Sequence, residues 1–112
     1  MNKLLLLCAI AACLDNDAAC ASDQDGLVNW YAAEPNSSAP YAVLMAGSRT
    51  TKPSCATDDA WAIINPASDG AKVLISGVMT AKAMGRVIQV RGSGVCDPTA
   101  PNRERVGYIL FP

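Results

Sequence analysis

Residues 55–96 read CATDDAWAIINPASDGAKVLISGVMTAKAMGRVIQVRGSGVC, and this stretch decides the fold. After the first cysteine, a short run of β-formers at 61–65 stops at Pro66. Ser68 then has the form of a helix N-cap, with Asp69 in the first turn, where the helix dipole favours negative charge. From Ala71 the apolar residues fall at 71, 74, 75, 78 and 81, the spacing of one helix face. Gly85 stands where a left-handed glycine would end that helix. Residues 86–92 alternate Val87, Gln89 and Arg91 against Ile88 and Val90, a strand with one polar face. The stretch therefore reads strand, helix, strand between two cysteines. Ser76, Gly77 and Thr80 are unusual helix-centre residues, and the glycine costs about 1 kcal/mol against alanine. Two accounts fit them: close packing against a strand, or a helix face that meets another subunit.

Upstream, residues 27–33 set Val28, Trp30 and Ala32 against Leu27, Asn29 and Tyr31, a strand period. Residues 22–26 are polar and read as a loose start. Residues 34–40 hold two prolines, Asn36, Ser37 and Ser38, a turn by composition. Asn36-Ser37-Ser38 also has the form of a glycosylation sequon. Residues 41–47 are almost continuously apolar, which suits a strand buried on both faces. The two runs form a hairpin. Residues 48–59 read as a polar loop with Arg49, Lys52 and Cys55. Downstream, 93–102 reads as a loop anchored by Cys96, and 103–112 as a closing strand.

The order β-β-β-α-β-β predicts a mainly β domain with one helix, an OB-fold-like five-stranded barrel. A small α+β sandwich is the alternative. A barrel would also hide the apolar edge at 41–46.

The first residues bear on compartment. Lys3 is followed by LLLLCAIAACL and then by Ala19-Cys20-Ala21, a charged start, an apolar run and small residues around a cut. The run is too short to span a bilayer, which takes about 20 residues. Residues 1–21 read as a secretory signal and 22–112 as the domain, secreted or periplasmic. Ile10-Ala11-Ala12-Cys13 resembles a lipobox, a competing lipoprotein reading. Losing 1–21 takes Lys+Arg from 9 to 8 and Asp+Glu from 10 to 8, so the domain is neutral. Neutrality leaves no electrostatic footprint for nucleic acid. Only Cys55 and Cys96 remain, and in an exported domain they are expected to form one disulfide.

Catalytic chemistry is sparse. The chain of 112 residues has no histidine, which removes the usual general base and the commonest metal ligand. No metal-ligand spacing, phosphate loop or cofactor motif is present, so no enzyme is expected. Asp58-Asp59 reads as a solvated turn. Gly92-Ser93-Gly94 lacks a base. Arg103-Glu104-Arg105 reads as a solvated strand end. Of Trp30, Tyr31, Tyr41, Trp61 and Tyr108, most are expected in the core. Asn29, Tyr31 and Arg91, on polar strand faces, are the candidates for contacting a sugar.

The cysteine, the Trp-led strand, the Leu- and Ala-rich helix ending at Gly85 and the VIQV strand together resemble the subtilase-cytotoxin-B-like, pertussis-like toxin B-subunit family of small secreted bacterial proteins. The likeness covers about 40 residues well. It implies an OB-fold subunit that forms a homopentameric ring, binds cell-surface glycans carrying sialic acid, and carries a toxic A subunit. In such rings the helices line a central channel. A first-strand serine of that family contacts the sugar acid; the matching segment here, 25–29, holds Asp25 and places Asn29 at that position. A family tyrosine at the end of the fourth strand is replaced by Arg91-Gly92. The family's C-terminal segment is also longer and holds further cysteines. With Asn29, Tyr31 and Arg91 taken from the polar strand faces and Asp25 from the segment matched to the family, the glycan-binding candidates are Asp25, Asn29, Tyr31 and Arg91.

Overall fold

In the computed structural model, residues 21–36 and 38–112 are described. The expected signal residues 1–20, with the Cys13 alternative, and Ser37 of the sequon lie outside the described residues. Five strands, β1 Asp23–Ala32, β2 Tyr41–Ala46, β3 Trp61–Ile63, β4 Ile88–Asp97 and β5 Ala100–Leu110, close on themselves in the order β1-β2-β3-β5-β4. One helix, α1 Asp69–Met84, lies between β3 and β4. This is the expected β-β-β-α-β-β barrel. Every pair is antiparallel except β3 with β5, which run parallel. Pairing of β1 with both β2 and β4 leaves neither strand a free edge.

The helix ends follow from local chemistry. Ser68 Oγ accepts the Ala71 N–H at 3.2 Å. Gly85 is left-handed (φ 63°), its N–H bonds Lys82 O, and Arg86 N–H bonds Ala81 O, a Schellman end. Ala71, Val78 and Ala81 face the core, which also holds Val28, Tyr41, Val43, Met45, Trp61, Ile63, Ile88, Val90, Val106 and Ile109. Gly77 has a packing reason: a Cβ there would meet the Phe111 ring at 2.3 Å. Thr80 Oγ1 donates to Ser76 O at 2.8 Å, which satisfies it within the helix.

Several expectations need correction. Residues 23–26 are not a loose start; they pair with β4, Asp23 opposite Arg91 and Gly26 opposite Ile88. Their partner lies more than 60 residues away, so local composition carried no sign of it. Residues 93–102 are not a loop. β4 continues to Asp97, and the chain turns at Pro98-Thr99, where Asp97 Oδ1 accepts the Thr99 N–H at 3.0 Å. Bulges within β4–β5 absorb Gly92 and the residues that follow it. Most of the aromatic rings are not core: Trp30, Tyr31 and Tyr108 are exposed, and only Tyr41 and Trp61 are buried. At Trp30 the cause is a register shift after Val28, which leaves Asn29 as the extra residue of a bulge and ends the alternation.

Cys55 and Cys96 are bonded, with Cα atoms 6.3 Å apart. The bond ties the loop before β3 to the far end of β4, and it is consistent with a location outside the reducing cytoplasm. It spans a sequence separation of 41 residues, for which loop-closure entropy gives about 4 kcal/mol. Replacing both cysteines by alanine should lower the urea-unfolding free energy by about that amount with the fold retained. An unchanged midpoint would show that the closed loop is already ordered in the unfolded chain.

Candidate functional site

Two polar assemblies stand out, one inside the barrel and one outside. The inner one centres on Glu104, which is 0% exposed. This corrects the reading of Arg103-Glu104-Arg105 as a solvated end: Glu104 shares the inward phase of Val106, and its neighbours point out. Its carboxylate accepts from Ser22 N at 3.2 Å, from Gly94 N at 3.1 Å, from Arg49 Nη2 at 2.9 Å and from the Ser22 hydroxyl. Arg49 Nε donates to Ser22 Oγ, and Nη1 to Asp59 O. The guanidinium stacks 3.8 Å from the centre of the Trp61 ring. Trp61 Nε1 donates to Gln24 Oε1 at 2.8 Å, and Gln24 Nε2 to Gly47 O at 2.7 Å. Every polar side-chain atom of this chain of contacts therefore has a partner, the condition for a buried ion pair to be tolerated. Gly92 makes room for it: a Cβ there would lie 1.8 Å from Glu104 Oε2 and 2.9 Å from Ser22 O. Such a closed network holds the fold and leaves no group free to react.

The outer assembly lies on the face of β1, β4 and β5. Register aligns Asp23, Arg91 and Tyr108 in one row across the three strands, and Asp25, Gln89 and Leu110 in the next. Arg91 Nη1 donates to Asp25 Oδ1 at 2.7 Å, and its Nε lies 4.0 Å from Asp23 Oδ1. The hydrogen bond to Asp25, reinforced by both carboxylate charges, raises the Arg91 pKa above its ordinary value and keeps it a fixed cation. Tyr108, 55% exposed, presents its ring beside it. The row offers an aromatic face, a planar set of donors and two carboxylate acceptors.

The four residues picked from sequence do not converge. Asp25 and Arg91 meet. Tyr31 lies six residues along β1 from Asp25, roughly 20 Å at an extended rise. It stacks on Tyr41, ring centres 5.7 Å apart. Asn29 sits at the bulge between them, exposed. Tyr108, the residue that joins Asp25 and Arg91 instead, is one of the rings the sequence reading leaves mostly to the core. Its neighbour Gly107 carried the sign of an interrupted alternation.

The Asp58 and Asp59 carboxylates have ordinary partners, whereas the buried Tyr41 hydroxyl has none. Asp58 takes the Ala60 N–H and the Arg103 Nε, and Asp59 takes Lys52 Nζ at 2.7 Å. Both carboxyls titrate below the usual range, Asp58 chiefly through the backbone N–H and Asp59 chiefly through Lys52. Among the described residues, no group of three or more Cys, Asp or Glu is placed to hold a metal ion. No family model matches the chain, and no significant match was found among curated proteins or solved structures.

Two measurements check this account. Glu104→Ala should lose about 3–5 kcal/mol in chemical denaturation, because Arg49 is left buried and uncompensated, whereas Asp25→Ala on the surface should lose less than about 1 kcal/mol. Equal losses would contradict it. Burial, with a smaller contribution from Tyr31, pushes the Tyr41 phenol up to about 12. Its protonated form is therefore favoured by folding, and that stability is lost as pH rises from 10 through 12. A tyrosinate absorbance step near pH 12 should appear in the native protein and vanish in Tyr41→Phe.

Proposed function

We propose that this chain is an exported recognition module, not an enzyme, and that its ligand is a carbohydrate bound on the β1–β4–β5 face. The observation that carries the reading is the row Asp23, Arg91, Tyr108. An exposed tyrosine ring next to an arginine held between two carboxylates matches what a pyranose needs, an apolar ring face to stack on and a set of oriented donors and acceptors. Export is supported by the charged and apolar first residues, the Ala19-Cys20-Ala21 pattern and the Cys55–Cys96 bond.

The charge at this face refines the ligand. One cation is shared by two carboxylates, so a sugar acid would meet net negative charge. A neutral hexose fits better than the sialylated glycan that the toxin resemblance implies. Assembly into a ring that carries an A subunit extends the reading from the resemblance of residues 55–96. It draws support from the outer side of α1, where Val73, Met79 and Met84 are exposed.

A second reading has its own observation. Leu27, Val87, Tyr108 and Leu110 are all exposed, and an apolar set of this kind also suits a protein partner. A glycan array of neutral and sialylated structures separates the two. Retention of neutral glycans, weakened at least tenfold by Tyr108→Ala and by Arg91→Ala and unchanged by Tyr31→Ala, is the expected result. Absence of any retained glycan would overturn the carbohydrate reading, and light scattering that finds a monomer at micromolar concentration would overturn the ring.

A further inference from the structure

We propose that the chain is cut between Ala21 and Ser22, and that the α-ammonium this creates on Ser22 is bound by the buried carboxylate of Glu104. The inference rests on the export half of the reading above and is independent of any glycan.

Ser22 is 0% exposed although it precedes the first strand. All its polar atoms are engaged. Its N–H donates to Glu104 Oε2 at 3.2 Å, its hydroxyl donates to Glu104 Oε1, and its carbonyl accepts from Gly92 N at 2.8 Å. One residue earlier, Ala21 is exposed. The sequence places small residues, Ala19 and Ala21, at the two positions a signal peptidase reads before its cut. The bond after Ala21 is thus the one at which the burial pattern changes and the processing pattern ends.

Hydrolysis there adds one water. The Ala21 carbonyl keeps the hydroxyl and leaves as a carboxylate, and the Ser22 nitrogen gains the protons and becomes an ammonium. The nitrogen already lies at hydrogen-bond distance from a carboxylate oxygen, so cutting turns a hydrogen bond in which only the acceptor is charged into an ion pair in which both partners are. The two cations approach Glu104 from different sides. Arg49 Nη2 reaches Oε1, and the Ser22 nitrogen reaches Oε2. In the uncut chain Glu104 has one cationic partner; in the cut chain it has two. This explains why the interior holds a carboxylate whose oxygens each take two donors, where Arg49 alone would need one. The same burial sets an order of events. A peptidase needs the bond extended in its cleft, and Ser22 is withdrawn once the β1 start has paired with β4. Cutting therefore precedes barrel closure.

The test begins with the intact mass of the protein recovered after export of the full chain, expected to correspond to residues 22–112. Thermal unfolding of that protein is then compared with the same chain retaining Ala21, and with its Nα-acetylated form. Both should melt about 4–8 °C lower, the shift that one such contact produces in a domain of this size. In Glu104→Gln the difference should disappear. A cut at another bond, or equal melting of the free and acetylated chains, overturns the inference while leaving export intact. Recovery of the chain with residues 1–21 still attached overturns both. The acetylation comparison needs no Glu104 variant, so it decides the matter even if Glu104→Gln does not fold.

Discussion

The interaction on which the rest of this structure depends is the carboxylate of Glu104 enclosed inside a five-stranded barrel. A charge removed from water is tolerated only when it is surrounded by donors, and here the donors come from three separate parts of the chain: Ser22 ahead of β1, Arg49 in the loop after β2, and Gly94 within β4. Satisfying one side chain of β5 therefore fixes where three other segments must lie. Gly92 is glycine because that carboxylate passes over it. Arg49 in turn lies flat on Trp61, the largest fully buried side chain, and Trp61 holds Gln24. The polar network and the apolar core are thus one connected unit, joined at the indole.

That arrangement divides the molecule's roles. The interior is filled by Trp61, Ile63, Ile88 and the Glu104 network, so the proposed carbohydrate would be met on the outside. The outward residues of β1, β4 and β5 form that proposed face. The strands are held rigid from within by the network, so Asp23, Arg91 and Tyr108 sit on elements and not on a loop. The Cys55–Cys96 bond fixes the far end of β4 to the loop before β3.

Much of the architecture was legible because it is written in local chemistry. Ser68 and Gly85 bound the helix, the spacing from Ala71 to Ala81 sets its buried face, and the apolar run at 41–46 is the buried strand β2. What escaped was non-local. The Asp23–Gly26 segment looks polar and loose until β4 is beside it. Glu104 looks like part of a surface charge cluster until its phase is counted from Val106. Arg49 carries no local sign that it will lie under a tryptophan. The candidate site was half legible: Asp25 and Arg91 meet across the β1–β4 pair, but Tyr31 lies six residues farther along β1, beyond the bulge at Asn29. A bulge is a one-residue event, and no composition or period in residues 27–33 announces it.

If Glu104 organises closure, the amides it and Ser22 engage should open only when the whole domain unfolds. Native-state hydrogen exchange at Gly92, whose N–H bonds Ser22 O, and at Gly94, whose N–H bonds Glu104, measures this directly. The account predicts opening free energies at both amides equal to that of global unfolding. Rapid exchange at Gly92 and Gly94, with the β2 amides still protected, would show that the β1 start frays independently and would contradict it.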